Sequence, residues 1–112
     1  MENLKLILLL MILILLPTLS FSQNDSVALN LKDSLGQKVG YWSEKITKKR
    51  ETYIFKSYYV DGLKNGKHEV YSTDGKLVVV SHYKNDTLNG IHKDFYENGQ
   101  IHHEIEYVDG QI

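Results

Sequence analysis

A repeat of 24 residues is the feature of this sequence that most constrains its fold. The tetrapeptide Tyr-Val-Asp-Gly occurs at residues 59–62 and again 48 residues later at 107–110, and Tyr83-Lys84-Asn85-Asp86 stands midway between them. Each unit of such a repeat is one supersecondary element that buries its apolar surface against its neighbours. The positions that define the repeat are Tyr59, Gly62, Gly66, Gly75, Tyr83, Gly90, Gly99, Tyr107 and Gly110.

A less regular copy of the unit precedes these, at an offset of 26 residues. Lys38-Val39-Gly40 corresponds to Lys64-Asn65-Gly66, and Trp42 takes the place of His68. This copy has no Asp-Gly or Asn-Gly pair at its centre. We therefore expect its bend near Lys48-Lys49-Arg50.

The later units have the pattern of β-hairpins. Strand-like segments flank Asp74-Gly75 in one unit and Asn98-Gly99 in the next. Such a pair favours a two-residue type I′ turn, in which both central residues have positive φ. The turns then set the cross-strand pairs: Val70 with Val79, Tyr71 with Val78, Phe95 with His102, and Tyr96 with Ile101.

Successive hairpins of this kind predict an all-β fold, an antiparallel meander of stacked hairpins. A single hairpin is only marginally stable in water, whereas stacked hairpins bury one another. We expect Tyr59, Tyr83 and Tyr107 to form a ladder of aromatic rings along the sheet.

The N-terminal segment differs in character from the repeats. Of the first 22 residues 15 are apolar, and residues 6–16 are an unbroken run of Leu, Ile and Met after Lys5. As a helix this run reaches roughly 16 Å, about half of a ~30 Å hydrocarbon core. The small-residue triplet Ser20-Phe21-Ser22 then favours a secretory signal peptide cleaved before Gln23. A retained N-terminal membrane anchor is the alternative.

We therefore divide the chain into a signal peptide at 1–22, a lead-in or capping segment at 23–34 and a hairpin-repeat domain at 35–112. The mature protein is expected to be periplasmic or secreted. Because the sequence contains no Cys, neither a lipid anchor nor a disulfide is expected. A net charge of −1 gives no reason to expect a nucleic-acid partner.

Candidates for catalysis and metal binding are few. There is no Cys nucleophile, no nucleophile-elbow motif and no phosphate-binding loop, so neither an enzyme nor a cofactor is predicted. His92, Asp94 and His103 fall on one expected face and could hold zinc or copper. A solvated cross-strand pair is the simpler interpretation, and we predict no metal site.

Binding is the remaining class of function. The candidate protein-binding surface consists of Trp42, Tyr71, Phe95 and Tyr96, with aromatic side chains as its contact core. A basic cluster next to aromatic residues gives a third hypothesis, contact with lipid or a polyanion, although Lys-rich turns are common at sheet edges. The cluster comprises Lys45, Lys48, Lys49 and Arg50.

The pattern Tyr-x-x-Gly-x-x-Asn-Gly, followed by an aromatic residue and Asp/Asn-Gly, resembles the MORN repeat in its bacterial variant form. It is clearest in residues 59–66 and 95–99, and the resemblance covers about 36–112. It implies a β-hairpin solenoid that docks proteins or lipids and has no catalytic residues. Proteins similar to this one are often antitoxin-like (the YwqK type). An antitoxin or immunity role, in which binding neutralises a toxin, is therefore the second hypothesis.

Overall fold

A computed structural model describes residues 28–112, which form one antiparallel β-sheet. Its strands are β1 (Leu31–Lys32), β2 (Lys38–Lys48), β3 (Glu51–Val60), β4 (Leu63–Ser72), β5 (Leu77–Lys84), β6 (Thr87–Leu88), β7 (Gly90–Phe95) and β8 (Ile101–Tyr107). Neighbours in sequence are neighbours in the sheet, except that β6 pairs only with β5 while β7 continues the sheet from β5. The predicted all-β antiparallel meander is confirmed.

Two sequence predictions concern the N-terminal part of the chain, the signal peptide at 1–22 and the lead-in or capping segment at 23–34. The predicted signal peptide, 1–22, lies outside the described residues. Strand β1 lies within the segment 23–34 and pairs with β2, with Leu31 opposite Val39. Residues 28–112 include no helix with the length and apolar composition needed to cross a membrane.

Two kinds of turn connect the strands. In the first kind two residues of positive φ link the strands, which is a type I′ turn. These turns are Lys49-Arg50, Asp61-Gly62, Asn85-Asp86 and Asp109-Gly110. The bend expected near Lys48-Lys49-Arg50 is thus confirmed, and three of the four turns lie at the repeated tetrapeptide.

The second kind of turn has three residues and corrects a prediction. The Gly75 amide donates to the Ser72 carbonyl at 3.0 Å, and the Ser72 amide donates to the Lys76 carbonyl at 2.9 Å. The turns predicted as type I′ at Asp74-Gly75 and Asn98-Gly99 are therefore wrong. Only the glycine of each pair has positive φ, as in a type I turn closed by a left-handed glycine.

The longer turns add one residue to the second strand of each hairpin, forming a β-bulge. Val70 lies opposite Val79 as predicted, and the equivalent pair in the next unit is Asp94 with His103. The other three predicted pairs are wrong. Tyr71 lies opposite Leu77, Phe95 lies opposite Ile101, and Tyr96 lies just before the turn, where its amide donates to the Gln100 carbonyl.

The register places the buried side chains of residues 28–112 on one side of the sheet, which we call the packed face; the other side is the open face. Cross-strand partners point to the same face, and successive residues of a strand alternate between faces. The buried residues are Trp42, Ser57, Tyr59, His68, Val70 and Ser81. The sheet therefore buries its core as one band of side chains that crosses β2 to β5.

The three repeat tyrosines lie on the packed face at intervals of two strands. Each stands directly opposite a glycine of positive φ, a backbone conformation that glycine adopts without steric cost. The pairs are Tyr59 with Gly40, Tyr83 with Gly66, and Tyr107 with Gly90. Their edge-on ring contacts, 5.6–6.2 Å between centroids, are with Trp42, His68 and His92 respectively. Within residues 28–112 each tyrosine thus has its own partner ring, and no ring contact joins the three tyrosines into the expected continuous ladder.

Backbone hydrogen bonds tie each type I′ turn of the repeat to the unit before it. The amides of Gly62, Asp86 and Gly110 donate to the carbonyls of Lys38, Lys64 and Leu88 at 2.8–2.9 Å. Asn65 and Asn89 add a side-chain bond each, accepting the amides of Asn85 at 3.0 Å and Asp109 at 3.2 Å. The Asn of each repeated Asn-Gly pair therefore binds the type I′ turn at the end of its own unit.

Replacing Gly75 with alanine should lower the free energy of unfolding by about 1 kcal/mol, because alanine adopts positive φ at a cost. A Cβ at this position meets no atom within 4 Å, so the backbone conformation accounts for the whole effect. Urea denaturation measures the loss. Gly75→Asn is the matched control and should lose less, because asparagine tolerates this conformation better. Equal losses in the two variants would contradict this explanation.

Candidate functional site

The four side chains predicted as a binding surface do not form one surface. Trp42 is only 9% exposed, lies on the packed face and donates its Nε1 hydrogen to the Leu31 carbonyl at 3.1 Å. Tyr71 lies on the open face. Phe95 and Tyr96 are adjacent at the three-residue turn after β7, where they line a groove of about 530 Å³.

A larger groove, of about 850 Å³, lies on the open face between β2, β3 and β4. We call it the tyrosine groove, after Tyr41 and Tyr58, which lie opposite each other on β2 and β3. Their rings meet edge to face with centroids 4.8 Å apart, and the residues are 54% and 37% exposed. The tyrosine groove is also lined by Leu29, Lys56, Lys67 and Glu69.

The tyrosine groove follows from strand alternation. Tyr41-Trp42 and Tyr58-Tyr59 are adjacent aromatic pairs within strands, so one member of each pair must face each side of the sheet. Trp42 and Tyr59 are buried on the packed face, which leaves Tyr41 and Tyr58 on the open face. Sequence reasoning selected Trp42 for its type and missed the exposed pair, although the doubled aromatics carried the signal.

Polar contacts define one wall of the tyrosine groove. Lys56 Nζ lies 4.8 Å from the centre of the Tyr71 ring, whose hydroxyl donates to Glu69 Oε2 at 2.6 Å. This hydrogen bond to a carboxylate raises the pKa of Tyr71 and keeps its hydroxyl protonated as a donor. Lys67 Nζ lies 3.4 Å from the same carboxylate. The wall thus combines cationic groups with one hydrogen-bonded carboxylate.

The basic cluster is divided between the two faces. Lys49 and Arg50 form the exposed β2–β3 turn, whereas Lys48 Nζ lies 5.5 Å from the Phe55 ring centre on the packed face. Lys45, opposite Ile54, points to the open face. These four cations therefore do not make one continuous patch.

Two serine–histidine pairs lie on the packed face. Ser57 Oγ and His68 Nδ1 are 2.6 Å apart, and Ser81 Oγ and His92 Nδ1 are 2.7 Å apart. Sequence reasoning noted the repeated histidines but missed the serines, which recur at the same 24-residue offset.

Neither serine–histidine pair is placed for nucleophilic catalysis. The serines are buried, and in residues 28–112 no carboxylate forms a hydrogen bond with either imidazole to orient it. In the first unit the equivalent histidine position holds Trp42, a residue without acid–base chemistry. The pairs satisfy polar groups within the core of the repeat.

The expected grouping of His92, Asp94 and His103 occurs only in part. His92 bonds to Ser81, while Asp94 Oδ1 lies 3.2 Å from the Nδ1 atoms of both His103 and His102. The third member of the cluster is thus His102, and not His92 as the sequence spacing predicts.

Comparison with known families bears directly on the repeat. Residues 64–85 and 88–109 match a family model described as MORN repeat variant. These two units are similar to MORN repeat variants. Each MORN-variant unit covers one hairpin, β4–β5 or β7–β8, and ends within or at a type I′ turn. The predicted resemblance is confirmed for these two units. Neither the curated proteins nor the solved structures compared with the chain gave a match.

Proposed function

We propose that this protein is a non-catalytic interaction module that binds a partner protein through the tyrosine groove. The observation that carries the proposal is the exposed Tyr41–Tyr58 pair on the open face, 54% and 37% accessible. Tyrosine is enriched in the energetically important parts of protein interfaces, because its ring buries apolar area while its hydroxyl stays bonded. Stacked-hairpin repeats such as the MORN-variant units also offer extended binding surfaces.

The groove favours a partner with an apolar anchor and a polar surround. Leu29 and the two tyrosines supply apolar surface, and Lys56, Lys67 and Glu69 supply charged groups beside it. A buried aromatic or aliphatic anchor within a polar rim is the usual composition of a specific protein interface. A segment of a partner protein that inserts one large apolar side chain between Leu29 and the tyrosines fits these features.

We further propose that binding takes place outside the cytoplasm, after removal of residues 1–22. The support for export is the apolar run at 6–16 followed by Ser20-Phe21-Ser22. An antitoxin-type role is the narrower form of this proposal, with a toxin that acts outside the cytoplasm as the partner. Lipid or polyanion binding through Lys49 and Arg50 is the alternative, and it should weaken steeply as salt rises.

A photo-crosslinking amino acid in place of Tyr41 should capture one protein from the exported fraction of the source organism. The same amino acid in place of Tyr96, which is also exposed but lies at the other candidate groove, is the matched control. Capture at position 41 should persist at raised salt and disappear when Tyr58 is replaced by serine. Mass spectrometry of the crosslinked product identifies the partner and its contact segment.

Other outcomes of this experiment separate the alternatives. Capture at position 96 but not at 41 would overturn the assignment of the tyrosine groove as the binding site and favour the Phe95–Tyr96 groove instead. Binding to anionic vesicles that vanishes at moderate salt, with no protein captured, would favour the basic turn.

A further inference from the structure

We propose that Asp94, His102 and His103 form a binding site for a divalent transition metal ion of the zinc or copper type. The ligating atoms of these three side chains lie within 4.8 Å of one another. Asp94 Oδ1 is 3.2 Å from Nδ1 of each histidine. Two imidazoles and one carboxylate are a ligand set that zinc and copper accept.

The β-bulge in β8 is what brings the two histidines together. Consecutive residues of a regular strand point to opposite faces, so His102 and His103 would ordinarily diverge. His103 lies opposite Asp94, but the next pair joins Phe95 to Ile101 and leaves His102 as the extra residue of the bulge. Both imidazole rings consequently turn toward Asp94, with their centroids 3.7 Å apart.

The spacing of these atoms suits a small ion. Tetrahedral zinc with bonds of about 2.0–2.1 Å holds its ligand atoms about 3.3 Å apart, close to the 3.2 Å carboxylate–imidazole separations found here. The Asp94 carboxylate is already oriented, because its Oδ1 accepts the His103 backbone amide at 2.9 Å. Such supporting hydrogen bonds fix the direction of a ligand.

The side chains are open to solvent, so an ion can reach them. Asp94, His102 and His103 side chains are 32%, 41% and 57% exposed. A site with three protein ligands and an accessible fourth position leaves room for a water molecule. This accessibility favours reversible binding over a permanently occupied structural centre.

The preceding unit provides an internal comparison. Its equivalent bulge has the same register, with Val70 opposite Val79 and Val78 as the extra residue. These three valines correspond, at the 24-residue offset, to the proposed ligands Asp94, His102 and His103 of the last unit. The hairpin therefore forms with an apolar trio at this bulge, and the three polar residues are not needed to build it.

Isothermal titration of the full-length chain, purified without a polyhistidine tag, with ZnCl₂ tests the site. We expect saturable binding of one ion per chain, and with Co²⁺ a visible absorption band of a site containing nitrogen and oxygen ligands. The triple variant Asp94→Val/His102→Val/His103→Val copies the preceding unit and should keep its circular dichroism spectrum. It should bind zinc at least about tenfold more weakly.

His82→Gln is the matched control, since His82 is an exposed histidine whose Nδ1 lies 2.9 Å from the Ile91 carbonyl, away from the cluster. This variant should bind zinc as the unchanged protein does. His103→Gln alone should also lose affinity, which keeps the test decisive if the triple variant fails to fold. Absence of zinc binding, or equal affinity in the triple variant, would overturn the proposal.

Discussion

Replacement of Trp42 by alanine should lower the free energy of unfolding by about 3–5 kcal/mol, the usual loss for a buried Trp or Phe. Trp42 is only 9% exposed and packs edge-on against Tyr59 with ring centroids 6.2 Å apart. Its Nε1 hydrogen bond holds β1 to the sheet through the Leu31 carbonyl at 3.1 Å. Lys38 Nζ lies 4.4 Å from the indole centroid and adds a cation–π contact. All three contacts disappear in the variant.

Urea denaturation followed by far-ultraviolet circular dichroism measures this loss, because Trp42 is the only tryptophan and its fluorescence is absent from the variant. Tyr41→Ala is the matched control, one residue away but on the open face. It should lose about 1 kcal/mol, the value of an exposed cross-strand aromatic pair. Similar losses in the two variants would contradict the assignment of packed and open faces.

A fall in pH from 7 to 4 should destabilise the protein through His68, by at most about 3 kcal/mol. Burial of the imidazole, together with the charge of Lys64, lowers the pKa of His68 from 6.5 to about 4, while Glu69 acts in the opposite direction. Between these two values the unfolded chain binds a proton that the folded chain does not. Stability therefore rises with pH across this window and is lost as the pH falls through it.

The packing around His68 explains the size of the effect. His68 is 7% exposed, and its ring lies edge-on to both Phe55, at 5.5 Å, and Tyr83, at 5.6 Å. Its Nδ1 is 2.6 Å from Ser57 Oγ. A proton added to this imidazole would place a positive charge among aromatic rings, near the ammonium of Lys64, with little water to solvate it.

Urea titrations at pH 7, 5.5 and 4 on the unchanged protein and on His68→Asn test this assignment. Asparagine keeps a hydrogen-bonding group near Ser57 but cannot take up the proton, so the variant should show a smaller pH dependence across this range. His82→Asn removes an exposed histidine and should leave the dependence as it was. If His68→Asn retains the full slope, other groups cause the acid sensitivity.

The 24-residue repeat can be predicted from the sequence because the residues that define it recur at fixed spacing and are of distinctive types. Tyr59, Tyr83 and Tyr107, with the glycines opposite them, predict stacked hairpins without knowledge of any contact. The turn type at Gly75 could not be read in the same way. An Asp-Gly pair suits both a two-residue turn and the end of a three-residue turn, and only the hydrogen bonds of Ser72 distinguish them.

The histidine cluster depends on that one-residue difference. The sequence register already pairs Asp94 with His103, but without the bulge His102 and His103 point to opposite faces, so the part played by His102 cannot be foreseen. The residue type of Trp42 alone predicts a contact residue. Strand alternation places it in the core and places its neighbour Tyr41 on the surface. Residue type alone does not say which face of a sheet a side chain occupies.

Because each type I′ turn of the repeat bonds to the unit that it follows, the sheet can gain a unit without needing a new kind of contact. Asn65 and Asn89 each bind the turn at the end of their own unit, and the amides of Gly62, Asp86 and Gly110 each donate to the start of the unit that their turn follows. The turns at 85–86 and 109–110 thus carry the same pair of bonds. Duplication of residues 64–87 would insert two strands and lengthen the sheet by about 10 Å, with both new junctions already encoded.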